Sequence, residues 1–383
     1  MKIIVAGLGE TGRSLIKLLE GSDHDITVID RERSCVDAVT DRYKVNGVVG
    51  SSASADTLIK AGADTADMMI ALTHADEINL LSCMQAKAVG TKYCVARLFM
   101  EDLIREEERL KEKYSIDHVI KPRVDLADEV YANIGLPGYI KIERLKDEDI
   151  YVLDLNTVGN SPLIGKTISS ISETVSSDMV IGSVLRGKKT LKVKDDLEIK
   201  DGDTLYIAVK NDKLDKVLSS IGVVRDRIKH VVIVGGRLTE VYLANRLIYD
   251  KKRVTILDDD MERCRELMER FPSANVIYAE GDITEVLEEE KVYQADSVVS
   301  LTDNDETNLV ISMYAWSKGI SSVITRVDRQ VHVKLLHRVN IDITVSPTEL
   351  SVFKIIRYIS AVSSPDQDEN EKISDFITDL EKF

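Results

Sequence analysis

The sequence repeats itself at a spacing of 228 to 229 residues, and this repeat constrains the fold more than any other feature. Residues 299–310 (VSLTDNDETNLV) match residues 70–81 (IALTHADEINLL) at six of twelve positions. Three further pairs of segments align at nearly the same spacing: 323–327 with 94–98, 231–236 with 3–8, and 254–258 with 26–30. Because four blocks share one spacing, the chain carries two copies of one unit. We call residues 1–135 the first repeat and residues 229–360 the second repeat.

Each repeat alternates short β-rich stretches with helix-length segments. The first repeat has six such stretches, which are KIIVAG, DITVID, NGVV, MMIAL, KYCVA and DHVIK. The second repeat keeps this order with HVVIVGG, RVTILD, NVIYA, DSVVSL, SSVIT and DITV. Parallel neighbouring strands need crossover connections, and the helices supply them. The pattern predicts an α/β fold with two Rossmann-like, doubly wound parallel sheets.

The segment between the repeats, residues 139–225, follows a different pattern. Its β-like stretches DIYVLDLN, DMVIGSVLR, KTLKV and DTLYIAV are interspersed with glycine-containing turns, which is typical of a small α+β module. That module does not recur after the second repeat. Residues 361–383 read instead as an acidic tail with a short amphipathic helix, in which Ile373, Phe376, Ile377 and Leu380 share one face. This helix is expected to pack on its own chain or to dock on a partner.

The composition excludes several classes of protein. Acidic residues outnumber basic ones by 66 to 51 and no basic patch is found, so we expect no binding to nucleic acid. The four cysteines form no CxxC pair, which predicts buried thiols in a reducing cytosol rather than disulfides or a zinc site. We find no signal peptide and no apolar run of the about 20 residues that a spanning helix needs. A cytoplasmic protein is expected.

The first repeat opens with GLGETG, in which Gly7, Gly9 and Gly12 fit the G-x-G-x-x-G pattern of dinucleotide-binding domains. Gly7 permits a tight turn, Gly9 lets the backbone approach a pyrophosphate, and Gly12 brings helix against strand. The amides of residues 8–11 then face phosphate at the positive end of the helix. Asp30 ends the second strand and is expected to accept a ribose hydroxyl, which favours NAD over NADP. Alternatively, the glycines serve only close packing.

Polar side chains follow the fourth and fifth strands. Ligands of doubly wound sheets lie at the carboxyl ends of the strands, so Thr73 is expected to hydrogen-bond the nucleotide. His74 beside it is a candidate contact, or is simply solvated. Asp76 is expected to cap the next helix, and Asn79 to support the site from behind. Arg97 is expected to bring positive charge to the phosphates, or else to form a surface ion pair.

No catalytic motif accompanies this site. A dehydrogenase needs an acid–base group and an anion clamp on a substrate domain, and no histidine has a recognisable catalytic setting. His332 and His337 are five residues apart, which does not place them together as metal ligands on a helix. There is no nucleophile elbow, P-loop or HExxH motif. We therefore expect a nucleotide sensor that is not an enzyme and binds no metal, with an NAD-dependent oxidoreductase as the alternative.

In combination, these motifs resemble the TrkA-type cytoplasmic regulators of Trk potassium uptake, which are built from RCK (also called KTN) domains. The resemblance covers residues 1–360. The first repeat resembles an RCK N-terminal domain through GLGETGRSL, VID, IALTHADEINLL, ARL and VIKPRVDLADEVYANI. SPLIGKTISSI, IGSVLRG and IKDGDTLYIAV resemble the small RCK C-terminal domain. The second repeat resembles another N-terminal domain, with Pro347 in the place of Pro122.

The resemblance implies a protein that binds NAD(H), and sometimes ATP or ADP, and contacts a Trk-type membrane potassium transporter from the cytoplasm. The nucleotide changes how RCK domains pair, and the pairing gates transport. The two N-terminal domains would pair with each other, and the chain would assemble into a homo-oligomer at the inner face of the membrane. A regulator of another cation channel or antiporter is an alternative. The implied nucleotide contacts are Gly7, Leu8, Gly9, Glu10, Thr11, Asp30, Thr73, His74 and Arg97.

The sequence departs from the family pattern at two points that bear on binding. In the second repeat the loop reads GGRLTE, with Arg237 and Glu240 where the first repeat has its second and third glycines. A side chain at the first position and an acid at the second oppose a pyrophosphate, so weak or absent dinucleotide binding is expected there. In the first repeat, Gly50-Ser51 replaces the Gly-Asp pair that the second repeat keeps as Gly281-Asp282, which changes the adenine side of the site.

Overall fold

The computed structural model describes residues 1–145, 150–159, 161–174, 178–187, 189–191, 193–281, 283–339, 341 and 343–363. The contacts within the chain divide it into two compact units. The first comprises Met1–Asp125 together with the helix that begins at Pro347, and the second comprises Leu126–Ser346.

The first repeat contains a six-stranded parallel sheet, as its apolar runs predict. The strands are β1 (Lys2–Ala6), β2 (Asp25–Asp30), β3 (Asn46–Val49), β4 (Met68–Ala71), β5 (Tyr93–Arg97) and β6 (His118–Ile120). Their order is β3-β2-β1-β4-β5-β6, which is the doubly wound arrangement. The winding reverses between β1 and β4, and a crevice therefore opens at the carboxyl ends of these two strands.

Helices cover both faces of this sheet. They are α1 (Glu10–Leu19), α2 (Arg33–Thr40), α3 (Ala55–Lys60), α4 (Asp76–Val89), α5 (Glu101–Arg105) and α6 (Glu107–Tyr114). The central strands β1 and β4 are buried on both faces and need apolar side chains at nearly every position, which explains their unbroken apolar runs. Ile4 and Val5 are neighbours in β1, yet they belong to two separate hydrophobic clusters. The sheet thus has a core on each side.

The middle segment follows α7 (Pro122–Asn133) and forms an antiparallel sheet. Its elements are β7 (Ile140–Leu145), β8 (Ile150–Asn156), α8 (Ile168–Thr174), β9 (Met179–Arg186), β10 (Lys189–Leu191), β11 (Asp203–Lys210) and α9 (Leu214–Ser220). The strand order is β10-β9-β11-β8-β7, which confirms a small α+β domain. The sequence pattern misses β7, because charged residues interrupt its apolar positions in IKIERL; Ile140 and Ile142 are nonetheless buried.

The second repeat folds into a sheet of the same design. Its strands are β12 (His230–Val234), β13 (Arg253–Asp258), β14 (Asn275–Tyr278), β15 (Ser297–Ser300), β16 (Ser322–Arg326) and β17 (Thr344–Val345). Its helices are α10 (Leu238–Tyr249), α11 (Met261–Arg270), α12 (Ile283–Glu289), α13 (Asp305–Ser317) and α14 (Gln330–Arg338). The order β14-β13-β12-β15-β16-β17 matches that of the first sheet strand for strand. The predicted repeat is therefore a repeat of the fold.

The last described helix, α15 (Pro347–Ser363), belongs to the first compact unit although the second repeat encodes it. It packs on α1, and its apolar face joins the hydrophobic cluster around Leu15. Residues 126–133 of α7 belong to the second compact unit, where the Arg246 guanidinium lies 3.8 Å from the centre of the Tyr131 ring. A repeat identifies equivalent segments but not the sheet that each one covers. The limits 1–135, 139–225 and 229–360 stay predictions.

Several smaller expectations concern the whole chain. Within the described ranges, no helix combines the length and the apolar content that crossing a membrane requires. Cys83, Cys94 and Cys264 are buried free thiols as expected, whereas Cys35 is only half-buried. Helix α15 continues past residue 361 to Ser363. The predicted amphipathic helix over residues 373–380 lies outside the described residues.

Candidate functional site

The turn after β1 contains three glycines with three different surroundings. Gly7 has a φ of +94°, and a Cβ there would lie 2.8 Å from the backbone of Leu72 and Thr73. A Cβ on Gly12 would lie 2.1 Å from the carbonyl oxygen of Gly7. Gly9 has an extended backbone (φ −70°, ψ −166°), and its Cβ would meet no heavy atom within 4 Å. The fold thus requires glycine at 7 and 12, whereas the space over Gly9 is open to a ligand.

Helix α1 begins directly after this open position. No side chain of the described residues caps its N terminus, so the first-turn amides keep their hydrogen-bonding capacity and the positive end of the helix dipole. The Leu8 amide behaves differently, since it donates to Asp30 Oδ2 at 2.7 Å. The donors left for a phosphate therefore start at Gly9, and Leu8 departs from the expectation that its amide faces the ligand.

Asp30 ends β2 beside this loop. Its Oδ2 accepts from the Leu8 amide, and its Oδ1 accepts from the Glu32 amide at 3.0 Å. These two bonds fix the carboxylate and leave lone pairs for hydroxyl donors. Next to it, Arg31 Nη2 lies 3.4 Å from Ser51 Oγ, so the serine that replaces the family's aspartate faces a cation.

The loop after β4 is held by Asn79, which is fully buried. Asn79 Oδ1 accepts from the amide of Thr73 at 2.8 Å and from its hydroxyl at 2.7 Å. Asn79 Nδ2 donates to the carbonyls of Thr73 and Arg97 at 2.9 and 2.8 Å. The Thr73 hydroxyl thus donates its hydrogen bond to Asn79, and only its lone pairs remain for a ligand. His74 is exposed at the start of the same loop.

Asp76 does not cap α4, which corrects the expectation from the sequence. Helix α4 starts at Asp76 itself, with Ala75 at the cap position and no side-chain cap bond. Its buried Oδ2 accepts from the amides of Phe99 and Met100, both at 2.7 Å. Asp76 therefore fixes the chain that leaves β5, the strand that carries Arg97.

Arg97 reaches from the end of β5 to the glycine loop. Its Nη1 donates to Thr11 Oγ1 at 2.8 Å, and its Nη2 donates to the carbonyl of Leu72 at 2.5 Å and of Thr73 at 3.2 Å. Its Nε is buried without a partner, and no ion pair to it occurs in the described part of the chain. Burial lowers the pKa of Arg97 to about 10, partly offset by Asp76. Arg97 is thus a half-buried cation without an ion-pair partner among the described residues, and such a group creates a site for an anion.

The corresponding loop of the second repeat has a different conformation. Gly235, Gly236 and Arg237 have φ values of +64°, +113° and +49° in succession. A positive φ is unfavourable for an arginine, and Arg237 stands at the position that Gly9 occupies in the first repeat. Glu240 stands in the place of Gly12 and is fully buried.

Charged groups of the chain itself neutralise each other around that second loop. Arg263 Nε lies 3.1 Å from Glu240 Oε1, and Arg237 Nε lies 3.4 Å from Asp303 Oδ2. Arg326, the counterpart of Arg97, lies 2.6 Å from Asp303 and 3.4 Å from Asp328. Burial, with the nearby Asp258 charge, raises the pKa of the Glu240 carboxyl to about 7. The second loop thus has internal partners for its cations.

The structure brings most of the predicted contact residues of the first repeat together around the crevice. Thr11, Thr73 and Arg97 form one connected network, and Asp30 is bonded to the amide of Leu8 in the glycine loop. Sequence reasoning gave Asn79 and Asp76 only supporting places. The repeat keeps both residues, since Asn308 and Asp305 occupy the equivalent positions and make equivalent bonds.

Comparison with known proteins assigns domains to this architecture. The family model described as the TrkA-N domain matches residues 3–122 and again 231–347, and the TrkA-C domain matches residues 157–222. Three curated relatives are similar to most of the chain. They are the Trk system potassium uptake protein TrkA of Haemophilus influenzae (27% identical, 94% of this chain and 79% of that protein), that of Halomonas elongata (28%, 94% and 79%), and the TrkA homolog of Archaeoglobus fulgidus (28%, 93% and 81%).

Solved structures share the fold at lower identity. The GsuK channel superposes with a TM-score of 0.70 at 18% identity over 95% of this chain, which spans 64% of the channel's length. The crystal structure of the GsuK RCK domain gives a TM-score of 0.68 at 18% identity, covering 95% of this chain and 77% of that one. The GsuK channel bound to NAD gives 0.69 at 18% identity, with coverages of 95% and 64%.

Proposed function

Because the chain belongs to the family of proteins that carry TrkA-N and TrkA-C domains, we propose that it is a nucleotide-sensing regulatory subunit of a Trk-type potassium uptake system. It binds NAD(H) in the crevice of the first repeat and leaves the nucleotide chemically unchanged. ADP and ATP, which share the adenosine and phosphate groups, are further ligands of that crevice.

One observation carries the proposal: within the described residues, the first repeat leaves a half-buried cation without an ion-pair partner, and the second repeat does not. Arg97 points at a glycine loop with open space over Gly9, whereas Arg326 is paired with two carboxylates of its own repeat. A guanidinium with no ion-pair partner, beside unused amide donors, suits a pyrophosphate.

Each part of the crevice has a role toward such a ligand. A bound dinucleotide supplies negative charge and hydroxyl groups. The amides from Gly9 onward and the guanidinium of Arg97 receive the phosphates, and Asp30 accepts a ribose hydroxyl. Thr73 offers lone pairs, and His74 lines the entrance.

Binding becomes a signal through a difference in affinity. A nucleotide shifts the protein between two arrangements only as far as it binds one of them more tightly than the other. A tenfold difference corresponds to about 1.4 kcal/mol, which one additional charge-assisted hydrogen bond provides. The proposed regulator works as a homo-oligomer with paired RCK domains, at the cytoplasmic face of the membrane transporter.

Co-purification with a Trk-type membrane subunit and cation flux into vesicles test this function. We expect a complex whose flux changes when NADH is added to the protein side. Incubating NADH or NAD with the chain and a panel of hydroxy acids and ketones should leave the nicotinamide absorbance unchanged. Hydride transfer in that assay, or a cation flux that no nucleotide changes, contradicts the proposal.

A further inference from the structure

Two side chains beside the arginine differ between the repeats, while the framework around them is the same. The shared framework consists of an asparagine that bonds the arginine carbonyl and an aspartate that accepts amides after the fifth strand. At the two differing positions the first repeat has His74 and Phe99, and the second has Asp303 and Asp328.

The backbone around these side chains is equivalent in the two repeats. Directly before His74 and Asp303, the threonine amides donate to the framework asparagines at 2.8 and 2.9 Å. The Phe99 amide donates to Asp76 at 2.7 Å, and the Asp328 amide donates to Asp305 at 3.1 Å. Phe99 and Asp328 are both half-buried. An exchange of side chain at this position therefore changes the charge near the arginine without a change of backbone path.

The consequence for the arginine is electrostatic. In the second repeat, Asp328 and Asp303 both lie within ion-pair distance of Arg326. In the first repeat, the Phe99 ring centre lies 5.0 Å from the Arg97 guanidinium carbon. An aromatic face interacts with the cation, but it does not neutralise it. Arg97 therefore retains its charge for a ligand.

We propose that Phe99 and His74 determine whether this site accepts an anionic nucleotide. They withhold the two carboxylates that would otherwise pair with Arg97, and so they keep the guanidinium available to phosphate. This inference rests on the proposed function and adds two specificity-determining residues to it. It also assigns Asp303 and Asp328 as the internal substitutes for a phosphate in the second repeat.

Charge-only pairs of variants test the inference in the full chain. F99D is compared with F99N, and H74D with H74N, by titration with NADH; D328N in the second repeat is the control. We expect each aspartate variant to bind NADH about tenfold more weakly than its asparagine partner, because a carboxylate competes with the phosphate for Arg97. The difference in NADH affinity between the two variants of each pair should decrease as the ionic strength rises.

The possible outcomes separate this inference from the proposed function. Equal affinity within both pairs, with NADH still bound, overturns the inference alone. A wild-type chain that binds no NADH overturns the proposed function. Thermal unfolding checks that the variants fold. If F99D does not fold, the H74D and H74N pair still tests the inference, because position 74 is exposed. A weakening in D328N equal to that in F99D would also contradict the assignment.

Discussion

Gly9 is the position where folding and binding make opposite demands. A side chain there meets no heavy atom within 4 Å, and the extended backbone suits any residue. Serine at this position is a favourable helix cap, because its hydroxyl oxygen accepts from a first-turn amide and contributes about 1 kcal/mol. G9S should therefore keep or slightly raise the thermal stability. The serine hydroxyl should also accept from an amide that would otherwise donate to a phosphate.

The loss of binding follows from the same geometry. A charge-assisted hydrogen bond is worth roughly 1.5–3 kcal/mol, so losing one donor and the close approach weakens NADH binding by about 10- to 100-fold. G12S is the matched comparison, because its Cβ would lie 2.1 Å from the Gly7 carbonyl oxygen and must displace the helix. It should lower the melting temperature markedly.

Thermal unfolding and NADH titration of both variants form the assay. We expect G9S to lose NADH affinity without losing thermal stability, and G12S to lose both. Unchanged NADH affinity in G9S would refute the assignment of the open space to a ligand. A stability loss in G9S as large as that in G12S would show that the glycine serves packing alone.

Two further predictions use equivalent positions and a titrating group. R97Q should weaken NADH binding about tenfold or more, because it removes the unpaired cation, while R326Q should leave the affinity unchanged; equal effects in a binding titration would contradict the account. Glu240 has its pKa raised from 4.5 to about 7 by burial, with the Asp258 charge adding to it. The folded state holds this proton more tightly than the unfolded state, so stability present below about pH 4.5 is lost as pH rises through about 7, by roughly 3 kcal/mol. Melting curves of wild type and E240Q should therefore diverge between about pH 5 and about pH 8, and parallel curves would exclude this effect.

Much of the fold can be predicted from the sequence, because the repeat and the apolar runs act locally. The twelve described strands of the two parallel sheets coincide with predicted runs such as KIIVAG and RVTILD. Burial on both faces explains the unbroken apolar stretches of central strands such as β1 and β12. Such reasoning does not predict that α15, which the second repeat encodes, packs in the first compact unit. The apolar face of α15 does not by itself identify the sheet that it covers, and the tertiary contacts decide this.

The site shows the same division. The glycine spacing indicates which residues form the loop. The close contacts that require glycine at positions 7 and 12 involve Leu72, Thr73 and the Gly7 carbonyl, and only the folded structure shows them. The network around Asn79 joins residues 6 and 18 positions away, and no local pattern identifies it. The contrast between Phe99 and Asp328 becomes informative only once both arginines are seen in place.

Equilibrium titration of the full chain with NADH, with the nicotinamide absorbance followed in the same sample, tests the central claim most directly. The account predicts one nucleotide bound per chain, an NADH affinity about 10- to 100-fold weaker in G9S, and a constant absorbance. Two nucleotides per chain, full binding in G9S, or oxidation of the nicotinamide would contradict it.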